Sequence, residues 1–210
     1  MAKSITLREH WEHIYETKPA SQVSWTQTSP QPSLDWIQKL KLDPKDLIVD
    51  CGGGRSALAE QLVDSGHLQV EVFDISIRSL AQAKLELKSE EARQNISYRV
   101  CNVLDYKPEK QVQLWHDRAV FHFMTEKTDI DTYVELVEKM APAHVVLGTF
   151  GLDAPDECSG LAVKRYDAST LSALFSRTHE LVQSEDLIHR TPSGKEQHFT
   201  FVQLKLRGNL

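Results

Sequence analysis

Cysteine is scarce in this chain of 210 residues, and its three copies, Cys51, Cys101 and Cys158, are widely spaced. An odd, scattered set supplies no disulfide framework, so a reducing, cytoplasmic compartment is expected. Long apolar runs are missing as well. The first thirteen residues interleave Lys3, Arg8, Glu9 and Glu12 with apolar ones, so no secretory signal is expected there. Nothing elsewhere reaches the apolar length that spans a bilayer, and no membrane partner is expected. Positive charge is in deficit: 24 Lys and Arg face 30 Asp and Glu, a formal net charge of −6. Phosphate capture needs a clustered basic surface, so this balance argues against a nucleic-acid partner. Internal repeats and low-complexity tracts are absent. His116, His122, Cys101 and Cys158 have no metal-ligand spacing, and no metal is expected.

What is present suits a globular fold: 40% hydrophobic and 26% charged residues, in a chain long enough for one domain and short for two. Residues 1–210 are expected to form one domain, with a helical segment at 1–45 and an α/β core at 46–210. Leu7 to Thr17 reads as a helix with Trp11, Ile14 and Tyr15 at helical spacing. Lys18 to Pro32 reads as a polar loop carrying Trp25, and a short helix starts near Ser33. Strands are then expected at Leu47–Cys51, Gln69–Phe73, Ile96–Cys101, Val112–Trp115 and Val145–Phe150. Helices fall between them at Ser56–Asp64, from Ser76 to Leu87, and at Thr128–Met140 with Thr128 as cap. This alternation indicates parallel strands with helices on both faces. The tail differs, because Glu180–His189 and Gln197–Leu206 read as two strands joined at Thr191-Pro192-Ser193-Gly194, a turn signal.

The sharpest local pattern is Asp50-Cys51-Gly52-Gly53-Gly54-Arg55-Ser56-Ala57, between an apolar strand and a helix. Gly52, Gly54 and Ala57 fit a G-x-G-x-x-A spacing, which permits a tight turn and lets a ligand approach the backbone. Asp74 follows about 20 residues later at the end of the next strand, where an acid binds ribose hydroxyls. The bland alternative makes the glycines a structural turn and Asp74 a helix cap. Asp50 bears on the choice of ligand: a carboxylate there repels a pyrophosphate but accepts hydrogen bonds from a cationic amino-acid moiety. A dehydrogenase, the main rival, would need a substrate domain that the remaining chain does not provide.

Acid-x-glycine-x-glycine at the end of a first strand resembles motif I of the class I S-adenosylmethionine-dependent methyltransferases, and the resemblance runs through most of the chain. It implies a Rossmann-like, doubly wound seven-strand sheet, mostly parallel, with a C-terminal antiparallel hairpin and an N-terminal helical lid. The implied cofactor is S-adenosylmethionine, with S-adenosylhomocysteine as product. On this resemblance Asp50, Gly52, Gly53, Gly54, Asp74 and Ile75 belong to the cofactor site. Asn102-Val103 fall where the family often has an aspartate contacting adenine, and Asn102 departs from that aspartate. Trp25 is the lid residue expected to face the sulfonium by cation–π attraction, whereas Trp11 and Tyr15 are expected to pack.

The acceptor should meet the methyl group beyond the fourth strand, at Trp115-His116-Asp117-Arg118-Ala119-Val120-Phe121-His122-Phe123. His116 and Asp117 are the candidate bases or acceptor-positioning groups, His116 counting also toward the cofactor site. Arg118 is the candidate grip on an anionic acceptor or on the cofactor's carboxylate. Phe121 and Phe123 are expected in the core, His122 packed or on the surface. The loop 153–166, with Arg165, is a second candidate wall. Leu114 to Ala119 followed by Tyr133 looks like the thiopurine, thiol and halide methyltransferases, while Asp117 to Phe121 also resembles the seven-strand protein-lysine methyltransferases. Ala119 replaces a glycine in each. The function expected is methyl transfer to a small molecule. The alternatives are methylation of a protein lysine, or a catalytically silent cofactor-binding subunit.

Overall fold

The computed structural model describes residues 5–19, 22–23, 25, 27 and 29–208. The apolar runs become five parallel strands, β1 (Leu47–Cys51), β2 (Val70–Asp74), β3 (Ile96–Val100), β4 (Val112–Arg118) and β5 (His144–Phe150). All five residues of β2 are buried, as expected where helices cover both faces of a sheet. A small hairpin of β6 (Glu157–Cys158) and β7 (Leu161–Ala162) follows, then β8 (His179–Arg190) and β9 (Glu196–Leu206), which pair antiparallel. The sheet order is β3-β2-β1-β4-β5-β9-β8, the seven-strand mixed sheet with a C-terminal hairpin that the pattern predicts. The β6–β7 hairpin leaves no periodic trace because its strands have two residues each. Its turn residues, Ser159 and Gly160, have φ of 54° and 77°, the left-handed pair that a two-residue I′ turn requires.

The helices are α1 (Leu7–Thr17), α2 (Ser33–Lys39), α3 (Leu58–Asp64), α4 (Ile77–Glu86), α5 (Glu90–Asn95), α6 (Lys127–Met140) and α7 (Ala168–Ala173). Ser76 caps α4, its hydroxyl accepting the Ser79 amide at 3.2 Å. Thr128 does not cap α6: Glu126 holds that position, and Thr128 lies within the helix. α5 and α7, with six residues each, are too short to show a clear helical period. Part of the expected loop 18–32 lies outside the described residues. No helix among the described residues is long and apolar enough to cross a membrane.

Alternate strand residues feed two apolar layers. Ile48, Val72, Leu114 and Val146 face the layer beneath α2 to α5, whereas Val49, Phe73, Trp115 and Leu147 face the layer beneath α6 and α7. The chain order reverses between β1 and β4, which lie side by side. In an open parallel sheet the crevice for ligands lies beyond the carboxyl ends of such a pair.

Candidate active site

The parallel register sets Asp50 beside His116. His116 Nδ1 lies 2.6 Å from Asp50 Oδ1, and its Nε2 lies 2.9 Å from the Ser33 hydroxyl on α2. All three residues are buried, and Asp50 Oδ2 is left without a partner. The chain then turns through Gly52, at φ +62°. A β-carbon at Gly52 would overlap Val120 Cγ2, and one at Gly53 would overlap Asp50 Oδ2. At Gly54 it would sit 2.8 Å from the Tyr15 hydroxyl and 2.9 Å from Asp74 Oδ2. These glycines therefore let side chains from β1, β2, α1 and the β4 end crowd against one turn.

Asp74 closes β2, and its Oδ1 accepts the Ser76 amide at 2.8 Å. Burial is the main cause that pushes its carboxyl up to about 7. With Ile75, Asn102 and Val103 it lines a chamber of about 820 Å³, part of it open to solvent. The Asn102 side-chain oxygen is used locally, accepting the Leu104 amide at 3.1 Å, so its amide nitrogen is the group left for a ligand.

An aromatic roof covers this end. Trp11 meets Trp25 edge-on with ring centroids 5.6 Å apart, and Tyr15 meets Trp25 at 5.8 Å. All three line the chamber, so Trp11 and Tyr15 are more than the packing residues their helical spacing suggests. α1 is latched in place by Glu12, whose carboxylate accepts the Ile77 amide at 2.7 Å at the start of α4. Nothing in the local pattern marks Glu12, because its partner lies 65 residues away.

Strand parity divides His116 from Asp117. Successive residues of a strand point to opposite faces, so His116 goes to the α2 side and Asp117 goes beneath α6. Asp117 is fully buried, accepting the Val120 and Phe121 amides on Oδ1 and the Tyr133 hydroxyl, at 2.6 Å, on Oδ2. Tyr133 in turn accepts the Trp115 indole N–H at 2.8 Å. Asp117, expected as an acceptor-side base or positioning group, is held by these three donors beneath α6 and does not line the chamber among the described residues. His116, expected as a base and also toward the cofactor site, has both ring nitrogens engaged and borders the space at the glycine turn.

Arg118 is the member of the trio that reaches the chamber. Its Nη1 donates to the Trp25 carbonyl at 2.9 Å, its guanidinium lies over the Phe199 ring at 5.4 Å, and its Nε and Nη2 are buried without partners. Ala119 follows at φ +70°, the left-handed geometry for which a glycine is the usual choice. Phe121 is core, as expected, but Phe123 lines the chamber. Cys158, from the 153–166 loop expected as a second wall, lines it too, as do Phe150, Gln197 and Phe199, which do not stand out in the sequence. Arg165 holds the carbonyls of Leu152 and Ala154, and so shapes the 153–166 loop. His122 is buried and neutral, its pKa lowered by burial to about 3. Among the described residues, no three His, Cys, Asp or Glu side chains converge to hold a metal.

No family model matches this chain, and no curated protein matches it in sequence. Solved structures do match. A SAM-dependent methyltransferase from Anabaena variabilis superposes with a TM-score of 0.72 at 16% identity, covering 97% of this chain and 96% of the other. The Burkholderia thailandensis 1,6-didemethyltoxoflavin N1-methyltransferase, with its substrate and S-adenosylhomocysteine bound, gives 0.68 at 14% identity, covering 96% and 88%. The N-methyltransferase NodS from Bradyrhizobium japonicum, also with S-adenosylhomocysteine, gives 0.61 at 16% identity over 87% and 90%. The fold is the class I methyltransferase fold.

The residues present fit the cofactor that this fold implies. Asp50 Oδ2 is an orphaned buried acceptor, suited to an ammonium. The glycine turn is a cradle that β-carbons would fill, and Asp74 closes β2 just before α4.

Proposed function

We propose that this chain is an enzyme that binds S-adenosylmethionine and transfers its methyl group to a small-molecule acceptor. The observation carrying this reading is the unpartnered Asp50 Oδ2 at the glycine turn, with the Asp74 carboxylate one strand away. A dinucleotide would bring its pyrophosphate against that buried anion, whereas an amino-acid ammonium satisfies it. When bound, S-adenosylmethionine supplies an electrophilic methyl carbon on a sulfonium. Asp50, oriented by His116 and Ser33, takes the ammonium, and Asp74 takes the ribose hydroxyls. Ile75, Val103 and the Asn102 amide frame the base. Trp11 and Trp25 exclude water and present aromatic faces to the sulfonium. Arg118 and the aromatic wall hold the acceptor in line with the methyl carbon, and alignment is the main demand of such a displacement.

The small-molecule reading is supported by the side chains that enclose the acceptor end and by the structural neighbour that binds 1,6-didemethyltoxoflavin. In this reading segment 1–45 and the core 46–210 form one domain, with α1 and Trp25 as the lid on the chamber. Cys51, Cys101 and Cys158 form no disulfide among the described residues, which fits a cytoplasmic location. Calorimetric titration with S-adenosylmethionine, S-adenosylhomocysteine and NAD, on wild type and Asp74→Ala, tests the proposal. Micromolar binding of the first two, weakened in the variant, is expected. Binding of NAD alone, or of none of the three, overturns it.

A further inference from the structure

We infer that the acceptor is a small organic acid with an apolar body, already ionised when it binds and held by Arg118. This rests on the methyl-transfer reading above. Phe123, Phe150 and Phe199 wall the acceptor end, and Arg118 is the one cation among the described residues lining the chamber. Two of its guanidinium nitrogens, Nε and Nη2, are buried with no partner, which costs free energy until an anion fills the fork. Burial lowers its pKa only to about 10, so it stays cationic at neutral pH.

A second orphan donor lies behind the aromatic wall. His122 Nδ1 accepts the Phe150 amide at 3.3 Å, so this neutral ring carries its proton on Nε2, which has no partner. The His122 ring packs on Phe123 and Phe150 at 4.4 and 4.6 Å between centroids. The charged and imidazole groups around this end are thus donors. The one carboxylate lining the chamber among the described residues, Asp74, stands at the nucleoside end. Donors attract an anion but cannot remove a proton, so this end favours a nucleophile that is already ionised.

The step balances on that basis. The acceptor's lone pair forms the bond to the methyl carbon as the carbon–sulfur bond breaks, and the departing pair stays on sulfur. An anion and a sulfonium become two neutral products, and no proton moves. Loss of charge in a desolvated site is favourable, and the neutral product no longer binds the guanidinium, which eases its release.

Arg118 also lines the space around the glycine turn, so the competing role is a grip on the cofactor's own carboxylate. The experiment separates the two. Benzoate, thiophenolate and nitrophenolate, with benzamide, methyl phenyl sulfide and aniline as uncharged counterparts, are titrated calorimetrically into the S-adenosylhomocysteine complex. The same compounds are then assayed as acceptors. Ionised members should bind at least about tenfold tighter than their counterparts, consistent with a charge-assisted pair. Arg118→Met should erase that preference while leaving S-adenosylhomocysteine affinity within about threefold. Arg118→Lys, which keeps the charge, should retain part of the preference and guards against a misfolded methionine variant. Equal binding and turnover of ionised and neutral compounds overturns the inference. So does an Arg118→Met variant that loses S-adenosylhomocysteine but still binds 5′-methylthioadenosine, which lacks the amino-acid end. Failure of the wild type to bind S-adenosylhomocysteine at all would instead strike the methyl-transfer reading beneath it.

Discussion

At the nucleoside end, Gly52, Asp74 and Ile75 come from one strand–turn–helix–strand segment and line the chamber, with Asn102 and Val103 one strand further on, while Asp50 and Gly53 of the same segment border the adjoining space at the glycine turn. At the acceptor end, Arg118, Phe123, Phe150, Cys158, Gln197 and Phe199 come from β4 and the turn after it, β5, β6 and β9. The first end is specified by local backbone geometry, because each glycine is needed where another element's side chain presses on the turn. The second is specified by pairing between distant strands: the antiparallel register of β5 and β9 sets Phe150 opposite Phe199. Chemistry common to a fold can reside in the local segment, while selectivity for one acceptor is left to the assembled wall.

The largest expected effect is at the glycine turn. Gly53→Ala drives a methyl group into Asp50 Oδ2 and against Val72, and should weaken S-adenosylhomocysteine binding by about 3 kcal/mol, the upper range for overpacking. Normal affinity by calorimetry would erase the distinction between the two ends. Phe199→Leu, in contrast, should leave that affinity unchanged.

Next comes Asp74. Asp74→Ala should weaken S-adenosylhomocysteine binding by about 1–3 kcal/mol if it strands two ribose hydroxyls. Its raised pKa gives a second readout. The folded apoprotein keeps a proton at Asp74 that the unfolded chain has released between about pH 4 and 7, so this carboxyl makes stability fall as pH rises through that window. Asp74→Asn should therefore flatten that slope and raise the apoprotein's Tm at pH 8 by roughly 2–6 °C, while binding suffers. A Tm that falls at pH 8 would show Asp74 to be structural.

Asp117 marks the boundary between site and core. Tyr133→Phe leaves Asp117 Oδ2 and the Trp115 indole unpaired, and should cost about 1–3 kcal/mol of stability with cofactor affinity unchanged. Asp117→Asn should likewise lower the denaturation midpoint. A variant of either residue that unfolds normally but loses turnover would return Asp117 to the chemistry.

The smallest effect is at Ala119, held at φ +70°. Ala119→Gly relieves the β-carbon penalty but loosens the unfolded chain, for a net gain of about 0.5 kcal/mol. A loss of stability on chemical denaturation would mean that the methyl group's contacts outweigh the backbone strain.

The sheet was legible because burial on both faces writes Leu47–Val49 in β1 and Val145–Leu147 in β5 as short apolar runs, and Val70, Val72 and Phe73 around Glu71 in β2. The long C-terminal strands were legible from their length and from the Pro-Ser-Gly turn. The nucleoside site was legible because the acid, the glycines and Asp74 lie at fixed distances along one local unit. The places of Asp117 and Phe123 were not legible for one reason: a stretch dense in functional groups does not say which of its side chains face the crevice. Parity along β4 and the packing of α6 settle that, sending Asp117 to Tyr133 and His116 to Asp50. The sequence by itself determined the strands, the helices and the glycine turn, since those depend on periodicity and backbone freedom over a few residues. Only the tertiary structure decided which polar atoms are satisfied and which remain open. That depends on partners such as Ser33, Trp25, Tyr133 and Phe199, which meet the β1–β4 crevice through long-range packing.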